Sequence, residues 1–387
     1  MTTKDFNDSD FDDIRPYRDE EFRTVVRQIT KDQWTITTLR RFFWPKCPNP
    51  LIPILEFVIR NYLQLKLLRV RTVDDFHKRF MKKMVLEYIK KRTMTRLTYT
   101  GIEHVSREKA SLFITNHRDI TLDPAFICYV LLENGFKTPE IAFGDNLLLN
   151  EFMSNFIRIN KSFIVRRNLP LRQQLKQSLH LSNYIQYTLS RNVSIWLAQR
   201  GGRAKDGDDR TNPSIIKMLY LSQRKKGMSF SDYINNCNIV PVAISYEFDP
   251  CDQMKAREVY RIRTRGSYEK REREDLISIL KGINEDKGRV HFTFCEPLQG
   301  DWVSAREVAS EIDRRINAGY KLWPTNYIAY DFLFATFKYS NQYTKEEREA
   351  FLQRFKKLSQ QLLKVVMEIY ARPVMNKERL LVPHTGT

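Results

Sequence analysis

The sequence predicts an α/β fold: a mixed, largely parallel sheet flanked by helices, with an N-terminal helical elaboration. Three observations carry the prediction. Apolar runs of strand length recur from about residue 95, helical stretches lie between them, and the residues before 95 repeat their apolar side chains at helical spacing. Where strands and helices alternate, each helix supplies the crossover that a parallel pair needs, so the strands share one layered sheet.

The first 21 residues hold eight acids, from Asp5 to Glu21, against three bases, Lys4, Arg15 and Arg18. A secretory leader needs the opposite sign followed by an apolar run, so none is expected. Next, Trp34, Leu39, Phe42, Phe43 and Trp44 stand among Arg40, Arg41 and Lys46, and from Arg60 to Arg96 twelve bases meet three acids. Thr72 and Asp75 are placed like a capping box for an amphipathic helix with Phe76, Phe80, Met84 and Tyr88 on one face. Its other face is Lys78, Arg79, Lys82, Lys83, Lys90 and Lys91. Aromatic rings among cations suit a bilayer interface, and an ordinary surface helix with a solvated basic face gives the same pattern. The stretch nearest to a membrane span, Leu51 to Val70, is broken by Pro53, Glu56, Arg60, Asn61, Gln64, Lys66 and Arg69, so no transmembrane helix is expected.

Strands are predicted at Leu97 to Thr100, Ser111 to Thr115, Ile141 to Phe143, Ser162 to Val165, Val193 to Ala198, Ile239 to Tyr246 and Val290 to Phe294. Helices are predicted at Asp123 to Leu132, Leu148 to Ile157, Leu171 to Leu189, Pro213 to Ser222, and from Ser304 to about Ala318. A closing helix, Lys345 to Ala371, is expected to stop at Pro373. Charge-dense Arg257 to Arg273 reads as an exposed loop, and Pro241 inside its apolar run as an edge strand or a bulge. The chain thus divides into an acidic tip (1–21), a basic-aromatic helical region (22–94), an α/β domain (95–320) and a C-terminal helical extension (321–387).

Apolar residues make up 42% and charged residues 29%, enough for a sizeable core and against a disordered chain. The net charge of +19 points to an anionic partner: nucleic acid, a membrane surface or a phosphorylated substrate. No RNA-binding, zinc-finger or helix-turn-helix signature accompanies it, so nucleic acid is not expected. Five cysteines without a CxxC pair read as reduced thiols in a cytosol-facing protein.

Of six histidines, one follows a buried strand in polar company. Ser111-Leu-Phe-Ile-Thr115 runs into Asn116-His117-Arg118-Asp119-Ile120-Thr121-Leu122-Asp123. Ligands bind where a strand hands over to a helix, and a histidine there with an acid beside it is a minimal general base. A structural turn is the alternative. His77 and His180 lie in helical patterns, His104 in a loop, His291 in a strand and His384 in the tail, and none has zinc-ligand spacing. No GxSxG supplies a nucleophile, and no GxGxxG or GxxxxGK[ST] marks a nucleotide. Two strands close on arginines: Ser162-Phe-Ile-Val-Arg166-Arg167, and Val193 to Ala198 followed by Gln199-Arg200-Gly201-Gly202-Arg203. Forked guanidinium donors beside glycines can grip phosphate or carboxylate, and solvated turns look the same.

In this order, Asn116-His117…Asp123, Ser162-Phe-Ile-Val-Arg166, Gly201-Gly202-Arg203 and Ile239-Val-Pro241-Val-Ala resemble the four blocks of the glycerolipid acyltransferase superfamily, the PlsC-like lysophosphatidic acid and glycerol-3-phosphate acyltransferases, and look like its bacterial NHRDIxLD branch. The resemblance covers about residues 95–300. Two departures stand out. The acid lies six positions after His117 where the family has five, and one extra residue adds ~100° of helical rotation; Asp123 is the favoured partner and Asp119 the fallback. Gly201 stands where the family has glutamate.

The resemblance implies acyl transfer from acyl-CoA or acyl carrier protein to the hydroxyl of a phosphorylated or lyso-lipid acceptor, with neither cofactor nor metal. His117 would act as general base, paired with Asp123 or Asp119, with no covalent intermediate. Asn116, Arg166, Gly202 and Arg203 would bind substrate. The basic body would dock peripherally on the anionic cytoplasmic face of the inner membrane. An acyltransferase for a lyso-amino-acid lipid and a catalytically silent acyl-lipid binder are the alternatives.

Overall fold

The computed structural model describes residues 6–44, 46–67, 69–148, 150–167, 169–224, 226–271 and 273–381. His384 and the first five residues of the acidic tip lie outside them. The seven strands among the described residues are β1 (Arg96–Thr100), β2 (Leu112–Thr115), β3 (Glu140–Gly144), β4 (Ser162–Val165), β5 (Ile195–Ala198), β6 (Ile239–Tyr246) and β7 (Arg289–Phe294). Two compact units interleave along the chain: Met1–Glu87 with Leu131–Ile195, and Tyr88–Val130 with Trp196–Thr387.

In the second unit the strand order is β1-β7-β6-β2-β5. β1 runs parallel to β7 and β2 parallel to β6, while β6 and β7 are antiparallel. This is the mixed, largely parallel α/β sheet that the alternating pattern predicts. All four residues of β2 and all eight of β6 are buried, as an interior strand covered on both faces requires. Because β2 and β6 are parallel, Thr115 and Tyr246 leave the sheet at the same edge, where ligands collect in such folds.

Pro241 corrects one expectation. β6 is an interior strand, in register with β2 at Ile114, and not an edge. The antiparallel ladder to β7 opens only at Val242, and the Pro241 carbonyl accepts from Cys295 N at 2.9 Å, so the missing N–H falls at the ladder's end. Arg257 to Arg273 is not all loop either: a helix spans Asp252–Arg265. Its sparse apolar anchors, Ala256 and Val259, are buried, and its buried charges have partners: Lys255 pairs with Asp249, and Glu258 with Lys205. Charge density failed as a loop signal because these charges are paired rather than solvated.

The closing helix is two helices, Lys345–Gln353 and Gln360–Leu381, and the second runs through Pro373. A proline inside a helix frees the carbonyl four residues before it, here Ile369. Gly207 packs onto that carbonyl: a Cβ at 207 would lie 2.4 Å from Ile369 O, and its φ of +76° is one that glycine favours.

The first unit holds a parallel β3/β4 pair and the N-terminal helices. The predicted cap is present, with Thr72 accepting from Asp75 N at 3.1 Å, and the helical run continues as a π-helix over Phe76–Leu86. Phe76 packs with Phe22, Val25, Leu67 and Ile159, and Phe80 packs against Ile36, Ile59 and Leu63. The apolar face of this run is therefore spent on the unit's own core. The helix Ile52–Leu67 differs. It buries Ile59, Leu63 and Leu67, yet its opposite side exposes Ile54, Phe57, Val58, Tyr62 and Leu65. No described helix is long and apolar enough to cross a membrane. The described part of the acidic tip is folded down on this unit: Asp8 pairs with Arg18 and Arg191, and Asp13 with Arg166 and His180.

Candidate active site

β2 delivers its chain into a turn, residues 116–121, before the helix Leu122–Glu133 begins. The turn is not helical, so the additional residue between His117 and Asp123 costs no helical rotation. Asp119 shapes it: its Oδ1 accepts from Thr121 N at 2.9 Å and Leu122 N at 2.8 Å, capping the helix start. Burial, and then the nearby Asp123, push the Asp119 carboxyl above its ordinary value.

Asp123 is fully buried in the first helical turn. Its Oδ2 accepts from Arg118 N at 2.6 Å, Asp119 N at 2.9 Å and His117 Nδ1 at 2.9 Å, while Oδ1 accepts from the Tyr246 hydroxyl at 3.1 Å. Because Oδ2 serves as an acceptor here, the proton of neutral His117 sits on Nδ1, and Nε2 carries the lone pair. The imidazole lies edge-on to Trp196, ring centroids 5.9 Å apart, and keeps 12% of its side-chain surface exposed. An imidazole held in this tautomer leaves Nε2 able to accept a proton.

Asn116, expected at the substrate, is committed elsewhere. Its Nδ2 donates to Ile244 O at 2.9 Å and to Asp209 Oδ2 at 3.2 Å, and its Oδ1 accepts from Ile244 N at 2.7 Å. Fully buried, it stitches the turn to β6. Asp119 likewise serves the helix cap, and Asp123 is the acid that meets His117. Ala204 N donates to His117 O at 3.0 Å, which brings the glycine-arginine loop alongside. Within it Gly202 has φ +88° with open space around it; Gly201 also faces open space and needs no left-handed backbone. Arg203 Nη2 donates to Ser278 Oγ at 3.3 Å, and its charge offsets part of the rise at Asp119. Arg166 belongs to the first unit, at the end of β4, where Nη2 meets Asp13 Oδ2 at 3.1 Å.

Five residues that sequence reasoning missed, Arg118, Asp209, Lys255, Asp249 and Tyr246, hold the turn. Arg118, buried, pairs with buried Asp209 and lies over the Tyr320 ring, 5.5 Å from its centroid. Burial raises the Asp209 carboxyl against the pull of Arg118. Buried Lys255 donates to Arg118 O at 2.7 Å and pairs with Asp249. Tyr246 reaches Asp123, as above. Arg118 follows His117 in the motif, but nothing in the sequence marks Asp209, 91 residues on, as its partner.

Residues 96–245 match the family model described as Acyltransferase. The chain is similar to the glycerol-3-phosphate acyltransferase of Pseudomonas aeruginosa (strain LESB58), 24% identical over 225 residues that cover 57% of this chain and 25% of that protein. It is also similar to the glycerol-3-phosphate acyltransferase of Pseudomonas fluorescens (strain SBW25), 21% identical over 268 residues, 61% of this chain and 29% of that one. The chain thus spans about a quarter of the length of the curated relatives it matches. Among solved structures, the 1-acyl-sn-glycerophosphate acyltransferase PlsC from Thermotoga maritima matches at a TM-score of 0.38 and 13% identity, over 78% of this chain and 95% of that one.

Proposed function

From the match of residues 96–245 to the acyltransferase family model, we propose that the protein moves a fatty acyl chain from a thioester to the hydroxyl of a glycerol-3-phosphate or lysophosphatidic-acid-type acceptor. One observation carries the chemistry: His117, partly exposed beyond the end of β2, has Nδ1 bound to buried Asp123, leaving Nε2 as the base. Nε2 takes the proton of the acceptor hydroxyl as its oxygen attacks the thioester carbonyl. The imidazolium formed is stabilised by Asp123 and returns that proton to the departing thiolate. Atoms and charge balance without a covalent enzyme intermediate. The donor is acyl-CoA or acyl carrier protein, and Arg203 is the candidate partner of the acceptor's phosphate.

The glutamate that the family resemblance leads one to expect is replaced by Gly201, where open space and an ordinary backbone leave room for a larger side chain. The proposed setting is an anionic membrane surface at the cytoplasmic face, reached peripherally. Support for it comes from the exposed apolar side of the helix Ile52–Leu67, with Lys46 before it and Lys66, Arg69 and Arg71 at or beyond its end.

The test is acyl transfer from labelled palmitoyl-CoA and palmitoyl carrier protein to lysophosphatidic acid, glycerol-3-phosphate and a lyso-amino-acid lipid on anionic liposomes. Turnover is expected, with His117→Ala reducing it by at least about 100-fold. Turnover confined to the lyso-amino-acid lipid would replace the acceptor named above. If both wild type and Gly201→Glu bind acyl-CoA without turnover, the protein is a silent acyl-lipid binder.

A further inference from the structure

The turn that carries His117 is held by more charge than stability explains. Arg118, Asp209, Lys255 and Asp249 are all buried, and all four act on residues 116–118 or on each other. Desolvating such groups costs roughly what their pairing returns, so buried ion pairs are weak stabilisers against apolar replacements of the same volume. Their common feature is geometric. The Asn116 amide is fixed to Ile244, His117 O to Ala204 N, Arg118 O to Lys255 Nζ, and the Arg118 guanidinium to Asp209. Asp123, which orients the imidazole, is itself steadied at Oδ1 by Tyr246.

Two of these supports come from beyond the segment that matches the acyltransferase family, which ends at residue 245. Tyr246 is the last residue of β6, and Lys255 stands in the first turn of the helix Asp252–Arg265. We propose that Tyr246 and Lys255 are positioning residues for His117, the tyrosine acting through the Asp123 carboxylate and the lysine through the Arg118 carbonyl. Their hydrogen bonds go to Asp123, to the Arg118 carbonyl and to Asp249. Tyr246 supplies one of four donors to Asp123, and without it the carboxylate is free to rotate about the three donors on Oδ2. Lys255 ties down the peptide that links Arg118 to Asp119, whose own N–H donates to Asp123. Loss of either loosens the Nδ1–Oδ2 bond while leaving the substrate's own contacts in place.

The proposal rests on the acyl-transfer reading only for its kinetic consequence. The first measurement therefore needs no turnover: the downfield proton NMR resonance of His117 Nδ1–H, assigned by its loss in His117→Ala. It is expected to move and broaden in Tyr246→Phe and Lys255→Met. The second is steady-state kinetics. In Tyr246→Phe kcat falls about 3–10-fold, the loss of one hydrogen bond, with KM within about twofold of wild type. In Lys255→Met the fall reaches about 100-fold. Thermal unfolding shows which variants fold. If Lys255→Met does not, Tyr246→Phe decides alone, because it keeps the ring that fills the core. A wild-type resonance and wild-type kcat in Tyr246→Phe overturn the proposal, as does a change confined to KM. A resonance that moves in a protein without turnover upholds the positioning role and refutes the acyl-transfer reading.

Discussion

With three donors converging on Asp123 Oδ2, two from the backbone of the turn and one from His117, the imidazole has one orientation available. That convergence decides between the two acids that the sequence leaves open. Asp119 lies closer in sequence to His117, yet the N–H groups it accepts are those of Thr121, the last residue of the turn, and Leu122, the first of the helix. Asp123→Asn is expected to lower kcat by about 10²–10³-fold, because an amide nitrogen facing Nδ1 favours the wrong tautomer. Asp119→Asn keeps an oxygen for the cap and should cost no more than about threefold, with a small drop in Tm. Steady-state kinetics on the two variants separates the roles; equal losses would mean that Asp119 acts in the chemistry. The family-like spacing was legible here as a motif, but not its wiring. Arg118, Tyr246 and Lys255 are ordinary residues in the sequence and gain meaning only from the partners that folding brings to them.

At the scale of elements, the helix Ile52–Leu67 and the run Phe76–Leu86 exchange the roles that their patterns imply. The latter shows the clearer amphipathic spacing, and it faces the core with Phe76 and Phe80. The former carries apolar residues on an exposed side as well as on the side that faces the unit's core. Phe57 and Leu65 remain about two-thirds exposed. From residue 33 to residue 71 Glu56 is the only acid, against seven bases, the polarity and charge that the proposed docking on an anionic bilayer requires. Phe57→Ser with Leu65→Ser should weaken co-sedimentation with anionic liposomes by about tenfold or more while leaving Tm unchanged. Phe80→Ser should instead lower Tm. Equal liposome binding by the wild type and the Phe57/Leu65 variant would remove this face from the docking surface.

Across the whole molecule, buried titratable groups oppose one another as the medium acidifies. Burial, and then Lys161, push His77 down to about 3; burial, and then Lys321, push His291 down to about 4. Burial pushes Asp252 and Asp313 up to about 6, with Asp249 adding to the rise at Asp252. The unfolded chain protonates its histidines below about 6.5 while the native state refuses the proton, so they withdraw stability as pH falls from there. The two carboxyls act the other way: the native state takes their protons near 6 and the unfolded chain only near 3.8, so they return stability as pH falls between those values. The opposing slopes conceal each other in the wild type, and a single variant exposes one. His77→Gln should be less stable than wild type at pH 7, where it disturbs the 3.0 Å contact of Nδ1 with Thr138 Oγ1. By pH 4.5 that deficit should have shifted in the variant's favour by about 2–3 kcal/mol. Denaturant unfolding at both pH values measures it, and a pH-independent difference would show that His77 is not the group responsible.

The sequence by itself determined the seven strands, most of the helices between them and the His117 motif. These follow from local pattern: apolar runs of strand length, caps and spacing act over a few residues and need no partner to be read. Only the tertiary structure decided that β6 is interior despite Pro241, that the last helix passes through Pro373 beneath Gly207, and that charge-rich 252–265 is a packed helix. It also decided which acid hydrogen-bonds His117, and that Asn116 binds backbone. Each of these outcomes turns on a group whose partner lies far away in the chain. The cost of an unpaired N–H, carbonyl or charge is set by what folding places beside it, and no local pattern records that.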